Sequence, residues 1–335
     1  MKTLEHYEDG MSNGQKKLGS PRRFIAAVSL VGVLAMISPA FAATAMQETF
    51  KTPDEAVAAL ISANRKDDVP ELLKILGPDA EKLILSGDSV ADKEGREKFL
   101  AAYDVSHGLA SEGDNKDVLI IGTEEWPLPI PLVREGNKWR FDTKAGEDEI
   151  LYRRIGRNEL NGIEVCRAYV EAQQEYAAGH EHQYAQKFLS ASGMHDGLYW
   201  PVAENEKESP LGPLIAGAEA EGYNAQSIQE KREPYHGYYY RILTKQGPDA
   251  RGGARNYIAD GRMTGGFALL AYPATYNDSG IMTFIVNEHG IVYEKNFGPN
   301  TAQIAPLISE FDPDETWKVV LSDNVASGDT HTVSK

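Results

Sequence analysis

The N-terminal part of the chain carries apolar residues at helical spacing. In the segment TPDEAVAALISANRKDD, one apolar stripe predicts an amphipathic helix, and its members are Ala56, Val57, Leu60 and Ile61. Thr52 is a typical N-cap, Pro53 fits the first helical position and Glu55 completes a capping box. The same reasoning predicts three further helices, from Pro70 to Gly77, from Pro78 to Leu85 and from Asp92 to His107, with Asp88 or Asp92 available as the cap of the last one.

The pattern then changes to alternation with a period of two. DVLIIG (117–122), PIPLVRE (129–135) and KWRFDT (138–143) are predicted strands, and a Gly136-Asn137 turn joins the last two. Trp139 and Phe141 fall on one face of that hairpin. The alternating prolines Pro127, Pro129 and Pro131 indicate an edge strand or an extended segment. Helices followed by strands predict an α+β domain over residues 46–145.

The second half of the chain predicts a long helix followed by a sheet. Residues 146–178 have a helical pattern, which Gly156 and Gly162 are expected to kink or break. After a Gly/Pro-rich connection, the strand-like segments are YHGYYYRIL (235–243), GGFALLAYP (265–273), GIMTFIVN (280–287) and GIVYEKNF (290–297). We therefore predict a second α+β domain over 146–320, in which the helix packs on an antiparallel β-meander. Residues 321–335 are predicted to be a flexible tail.

Residues 1–42 have the pattern of a signal peptide. Basic residues (Lys16, Lys17, Arg22, Arg23) precede an apolar run over 24–37, and Ala40-Phe41-Ala42 is a small-residue cleavage site. The run is short for a membrane span, which favours cleavage over retention as an anchor. Arg22-Arg23 is compatible with twin-arginine export, but basic pairs are common in ordinary signals, so the Sec route is favoured. We expect an exported protein, periplasmic or secreted, without a stable membrane span after cleavage.

Charge and cysteine content narrow the choice of partners. The formal net charge is −16, which repels nucleic acid and excludes it as an expected partner. Cys166 is the only cysteine, so the chain has no internal disulfide. Its helical spacing from Ile163 and Val170 predicts that it is buried as a small hydrophobic residue.

No catalytic motif stands out. The chain contains no G-x-S-x-G, H-E-x-x-H or phosphate-loop pattern, so we predict no catalytic residue and no cofactor. His180 and His182 are the densest pair of metal-ligand candidates, but further ligands at suitable spacing are absent. The favoured interpretation is a solvated helix end. Carboxylates from distant segments leave no sequence signal, so a hydrolase stays open as an alternative.

One arginine and a group of aromatic residues are candidates for binding. Arg157 has no acidic residue three or four positions away, so we expect a tertiary carboxylate, with solvent exposure or a bound anion as alternatives. Tyrosines in strands indicate cross-strand packing, although exposed Tyr and Trp also bind glycans and peptides. Alternation in PYHGYYYRIL places Tyr235, Tyr239 and Arg241 on an exposed face and His236, Tyr238, Tyr240 and Ile242 towards the core. The candidate binding residues are therefore Tyr199, Trp200, Tyr235, Tyr239, Arg241, Arg157 and Asp142.

Several long blocks carry a family resemblance. They are ETFKTPDEAVAAL, WPLPIPLVREGNKWRFDTKAGEDEILYRRIGRNEL, CRAYVEAQQEYA, DGLYWP, PYHGYYYRIL and GIMTFIVNEHGIVYEK. Over residues 47–320 the chain resembles the bacterial family catalogued as domain of unknown function 2950. The resemblance implies export and a two-part α+β chain, and it supplies no catalytic residue. The second half is also similar in architecture to the globular part of type IV pilin-like proteins.

These observations lead to three functional hypotheses. We expect an exported cell-envelope protein that acts as a non-catalytic binding or assembly factor, with an envelope protein or a glycan as its partner. The alternative is a periplasmic hydrolase that uses dispersed carboxylates. The third hypothesis is a pilin-like structural subunit. The sequence does not predict an oligomeric state.

Overall fold

The computed structural model describes residues 47–203, 206–231 and 233–321. The predicted signal peptide lies outside these residues, as does the predicted tail beyond Leu321. Within them the α-helices are α1 (Pro53–Arg65), α2 (Val69–Leu76), α3 (Glu81–Ile84), α4 (Ser89–Val105), α5 (Thr143–Gly179), α6 (Gly212–Glu221), α7 (Ala225–Gln229) and α8 (Thr301–Ile304). Short 3₁₀ segments occupy Pro78–Ala80, Gly298–Asn300 and Ala305–Leu307.

Local capping signals set the N-terminal helices. The Thr52 side chain accepts a hydrogen bond from the Glu55 amide at 3.1 Å, as the capping pattern predicts. Helix α4 begins at Ser89, because Asp88, one of the two predicted caps, accepts a hydrogen bond from the Ala91 amide at 3.0 Å. It also ends at Val105, and the residues from His107 onwards, which the prediction left at the helix end, form a strand.

The first sheet follows these helices and is antiparallel. Its strands are β1 (His107–Ser111), β2 (Lys116–Ile121), β3 (Trp126–Pro127), β4 (Leu132–Glu135) and β5 (Lys138–Phe141). The order is β1-β2-β4-β5, and β3 also pairs with β2. The three predicted strands are present, whereas β1 and β3 were not predicted. Phe141 is fully buried and Trp139 packs against the same core, which confirms their shared face.

Helix α5 runs without a break from Thr143 to Gly179. The predicted kink or break is therefore wrong. A Cβ at Gly162 would lie 3.6 Å from the Phe284 ring and 3.7 Å from the Tyr238 ring, so this glycine lies where the helix packs closely on the sheet. A Cβ at Gly156 would meet open space. Packing of the helix outweighs an intrinsic cost of roughly 1 kcal/mol per glycine.

The second sheet is the predicted meander with one further strand. Its order is β14-β13-β12-β11-β6, all antiparallel. These strands span Tyr238–Leu243 (β6), Ala268–Pro273 (β11), Thr283–Asn287 (β12), Tyr293–Lys295 (β13) and Lys318–Val319 (β14). Between β6 and β11 lie two short hairpin pairs, formed by β7 (Lys245–Gln246) with β8 (Arg255–Asn256) and by β9 (Ile258–Ala259) with β10 (Arg262–Met263). Helix α5 contacts β11 and β12, so the α+β class and its packing are confirmed.

The tyrosine-rich segment begins with a turn rather than a strand. Tyr235 and Tyr238 exchange backbone hydrogen bonds of 2.9 and 3.1 Å, and His236 and Gly237 have φ values of 49° and 75°. Positive φ at both central residues is typical of a tight hairpin turn. The turn ends the alternation, so the predicted exposure of Tyr235 is wrong and its ring is buried. Tyr238 and Tyr240 are buried as predicted.

The described residues belong to one compact unit that contains two hydrophobic cores. The first core lies between helices α1–α3 and the first sheet, and the second lies between α5, α6 and the second sheet. Cys166 is fully buried in the second core, as predicted, and burial raises the pKa of its thiol to about 12. Among the described helices, none combines the length and apolar character that a membrane crossing requires.

Candidate functional site

A cavity of about 330 Å³ lies beside the first core. Residues from helices α1 to α5 and from the segment 126–130 surround it. Its apolar lining residues are Leu60, Leu72, Leu76, Leu83, Ile84, Ala91, Phe99, Trp126, Leu128, Pro129, Ile130 and Ile150. Cavities of about 300–1,000 Å³ with mainly apolar walls and a few polar groups are typical of small-ligand sites.

Helix α4 forms one wall of this cavity without sealing it. None of its 17 residues is fully buried, and Phe99 is only half-buried against the first core. By contrast, the shorter helix α2 buries Leu72, Ile75 and Leu76. The cavity is the gap between α4 on one side and helices α1 and α5 on the other.

Two of the four lining arginines are held by exposed acidic residues. Arg96 pairs with Asp67 at 2.7 Å. Arg153 pairs with Glu149 at 2.7 Å, and its guanidinium lies 5.1 Å from the centroid of the Trp126 ring. This last contact is a cation–π arrangement at the rim of the cavity.

Arg154 forms a buried link between distant segments. Its Nη1 donates to Asp278 Oδ1 at 2.6 Å and to the Lys82 carbonyl at 2.8 Å, while Nη2 donates to the Leu83 carbonyl at 2.6 Å. The two side chains of the ion pair are 10% and 12% exposed. Burial raises the pKa of Asp278, and Arg154 partly counteracts this effect. The pair therefore connects the end of α3, helix α5 and the loop before β12.

Arg157 lies one turn further along α5 and also lines the cavity. We expected a tertiary carboxylate as its partner, but none of the described acidic side chains lies within ion-pair distance. The residue is exposed. The neighbouring Arg154 has such a tertiary partner, Asp278, because Arg154 lies on the inward face of α5. Arg157 is thus the lining arginine whose charge no described carboxylate neutralises.

Asp92 is the one carboxylate among the cavity-lining residues. It accepts hydrogen bonds from the Ser86 amide at 3.0 Å and from the Ser86 hydroxyl at 2.7 Å. Burial raises its pKa, although both bonds from Ser86 favour the ionised form. Its two oxygens already hold partners, so Asp92 is fixed in place at the N-terminal end of α4.

Asp88, the N-cap of α4, joins the cavity wall to the second sheet. Its Oδ2 accepts from the Gly237 amide at 2.9 Å and from the Tyr223 hydroxyl at 3.0 Å. Asp88 is only 3% exposed, so both bonds form away from bulk water. Close by, His236 lies 3.2 Å from Glu221, and burial lowers the pKa of its imidazole. Helix α4 is therefore anchored at its start.

Trp200 lies in a separate aromatic cluster near the end of α5, and Tyr199 beside it packs against the second core. Trp200 stacks on His195 with ring centroids 4.4 Å apart, and the His180 ring meets its edge at 6.4 Å. His180 also stacks on Tyr176 and is hydrogen-bonded to its carbonyl at 2.7 Å. His182 is exposed. Among the described residues, no group of three potential metal ligands occurs.

The remaining candidates lie elsewhere. Asp142 precedes the first turn of α5, where its carboxylate is 3.8 Å from Arg140. Tyr239 and Arg241 are half-buried on β6, and Tyr235 is buried. Of the seven predicted binding residues, only Arg157 lines the cavity.

Sequence reasoning did not single out Arg154, Asn158 or Asp92. For the first two a signal existed, because they share a helical stripe with Leu151 and Ile155. A polar residue within an apolar stripe needs a buried partner. Asn158 finds one by donating to the Ser279 carbonyl at 2.9 Å.

Comparison with known proteins identifies the family. A family model described as "Protein of unknown function (DUF2950)" matches residues 47–320. This range contains both sheets, all the described helices and the cavity. No curated protein and no solved structure matches the chain, so the similarity to pilin-like proteins stays a prediction. The match covers most of the chain, which therefore belongs to the DUF2950 family.

Proposed function

We propose that this chain is an exported, non-catalytic binding protein of the cell envelope. Its ligand is a small organic anion with an apolar body, which occupies the cavity between α1, α4 and α5. The observation that carries this proposal is an apolar cavity of about 330 Å³ with an arginine, Arg157, that no described carboxylate neutralises. The signal-peptide pattern of residues 1–42 supports the location.

Charge complementarity favours an anion. The whole chain carries a net charge of −16, yet four arginines line this cavity. Three of them are paired with carboxylates, so Arg157 is the donor that remains for a ligand. A guanidinium binds carboxylate or phosphate oxygens through two parallel hydrogen bonds. The apolar walls would stabilise the rest of the ligand by about 25 cal/mol per Å² of apolar surface removed from water.

The lining supports a binding protein more than the hydrolase alternative. A carboxylate hydrolase of the common type needs two acidic groups on opposite sides of the scissile bond. Asp92 is the one carboxylate that lines the cavity, and Ser86 already bonds to both of its oxygens. A second acidic group is absent from the described lining residues.

Calorimetric titration of the purified protein with decanoate and with decanol tests this proposal. Decanoate should bind saturably, and decanol, which lacks the charge, should bind about tenfold or more weakly. Arg157→Gln should weaken decanoate binding by a similar factor. Arg262→Gln is the control, since Arg262 is an exposed residue on β10 and does not line the cavity. Equal affinity of the Arg157→Gln variant and the unchanged protein would refute the assignment.

The same protein preparation discriminates between the other hypotheses. If the protein degrades cell-wall polysaccharide and Asp92→Asn abolishes this activity, the hydrolase alternative replaces the binding function. Filaments in electron micrographs would favour the structural-subunit hypothesis instead.

A further inference from the structure

Arg241 on β6 has an incompletely bonded guanidinium. Its Nη1 donates to the Pro306 carbonyl at 2.6 Å. Its Nε and Nη2 atoms are buried and have no hydrogen-bond partner. Nε and Nη2 form one edge of the planar group, the geometry that binds the two oxygens of a carboxylate or phosphate in parallel.

A second cation, Lys231, interacts electrostatically with Arg241. Lys231 follows α7 and is half-buried, and burial together with the charge of Arg241 lowers the pKa of its ammonium group. Burial also lowers the pKa of Arg241. Among the described residues, no carboxylate forms an ion pair with either side chain. In a chain with 50 acidic and 34 basic residues, two neighbouring cations without an acidic partner are an exception that calls for an explanation.

The strand residues beside Arg241 carry no negative charge. The rings of Tyr239 and Tyr272 lie 5.7 Å apart on the same side of the sheet. Burial raises the pKa of Tyr272, so its phenol stays neutral and cannot neutralise Arg241. A buried charge without a hydrogen-bonding counter-charge is strongly unfavourable. The protein alone does not satisfy these donors.

We propose that Nε and Nη2 of Arg241, together with Lys231, bind a small oxyanion. The chemical class is a phosphate or a carboxylate group, whose paired oxygens match the guanidinium edge. The site is distinct from the cavity of the proposed function, since neither residue lines that cavity.

The segment 298–307 contacts the Arg241 guanidinium through Pro306. This segment consists of two 3₁₀ turns around the four-residue helix α8, and Pro306 and Leu307 within it are exposed. The guanidinium of Arg241 is joined to this segment by the hydrogen bond that its Nη1 donates to the Pro306 carbonyl. Because Nε and Nη2 are buried, an oxyanion reaches them only when neighbouring groups move.

The test combines calorimetric titration with thermal unfolding, with inorganic phosphate and succinate as the probes at constant ionic strength. The unchanged protein should bind one of them saturably, and that anion should raise its unfolding temperature. Arg241→Gln and Lys231→Gln should each weaken binding by about tenfold or more. Arg241→Lys keeps the charge but loses the two-bond edge, so it should weaken binding to a similar extent. Arg251→Gln, at an exposed arginine, is the matched control and should bind normally.

A second readout separates a binding role from a structural one. Without added oxyanion, Arg241→Gln should unfold at the same or a higher temperature than the unchanged protein, because it removes a charged group whose Nε and Nη2 atoms are buried and have no partner. The proposal is overturned if neither anion binds saturably, or if Arg241→Gln binds as well as the control. It is also overturned if Arg241→Gln lowers the unfolding temperature in the absence of oxyanion. Arg157→Gln should leave the oxyanion response intact, so this outcome is independent of the proposed function.

Discussion

Replacing Arg154 with methionine tests the buried link between the two cores. Methionine keeps an unbranched stem but removes the guanidinium, so Asp278 loses its only ion-pair partner among the described residues. Removing one member of a buried ion pair costs about 3–5 kcal/mol, because the remaining charge stays buried. The carbonyls of Lys82 and Leu83 also lose a donor, but water replaces part of that bonding because Lys82 is exposed. We expect a total loss of about 4 kcal/mol in the free energy of unfolding.

Urea unfolding followed by tryptophan fluorescence measures this loss. In thermal unfolding it should correspond to a decrease of about 8 °C, taking roughly 2 °C per kcal/mol for a chain of this size. Arg153→Met is the matched control on the same helix. Its pair with Glu149 is about half exposed, so the control should cost less than ~1 kcal/mol.

The loss of stability caused by Arg154→Met should depend on pH in a defined direction. Burial raises the pKa of Asp278, and loss of Arg154 raises it further. Between the unfolded-state pKa of about 3.9 and the raised folded-state value, the folded protein binds a proton that the unfolded chain does not. Stability in this window therefore decreases as the pH rises. The Arg154→Met penalty should be smallest below about pH 4 and largest at neutral pH.

A second substitution distinguishes the effect of the unpaired Asp278 carboxylate from the effect of lost packing around Arg154. The double variant Arg154→Met/Asp278→Leu should be more stable than Arg154→Met alone, since it leaves no unpaired buried carboxylate. The reasoning about a buried charge is refuted if Arg154→Met lowers the free energy of unfolding no more than Arg153→Met does. It is also refuted if the double variant recovers none of the lost stability and that loss is independent of pH.

Three further predictions concern the turn before β6, the hydrogen bond between Tyr223 and Asp88, and the buried thiol of Cys166. Gly237→Ala should lower the free energy of unfolding by about 1–3 kcal/mol in urea, because Gly237 has a φ of 75° and there is little space for a Cβ. The control is Gly95→Ala on α4, where a Cβ meets open space, and it should raise the free energy of unfolding by up to about 1 kcal/mol. Tyr223→Phe should cost about 1.5–3 kcal/mol by the same measurement, because Asp88 loses a charge-assisted hydrogen bond, and an unchanged stability would contradict this role. The Cys166 thiol should not react with a disulfide reagent at pH 8 until the protein is unfolded, because burial raises its pKa to about 12. Rapid reaction of the native protein would contradict this prediction and show that the thiol is accessible.

Local signals in the sequence were sufficient for much of the fold. The Thr52 cap, the start of α1 and the hairpin around Gly136 depend on residues a few positions apart, and each is present. The expected break in α5 was wrong, because the packing of Gly162 on Phe284 is a tertiary contact that intrinsic propensity does not contain. The turn before β6 was also missed, since it places a non-glycine residue, His236, at positive φ.

The candidate site was predictable only in part. Arg157 was singled out because it lacks a local acidic partner, and it does line the cavity. The cavity itself depends on how α4 packs against α1 and α5, segments that are separated by dozens of residues, so no short pattern reveals it. The choice of Arg154 over Arg157 as the partner of Asp278 likewise follows from the rotation of α5 against the loop before β12.

Helix α5 has a consequence for how the chain can be divided. Its 37 residues extend for about 55 Å at 1.5 Å per residue, from the Pro78–Ala80 turn to the second sheet. Near its first turn, a Cβ added at Gly146 would lie 2.8 Å from the Ile130 amide, so the helix start is fitted tightly to the connection between β3 and β4. A protein cut between residues 145 and 146 would leave one fragment without the α5 wall of its cavity and the other with a frayed helix. Separate expression of the two halves should yield aggregation-prone fragments, and co-expression should restore a soluble complex through the same helix.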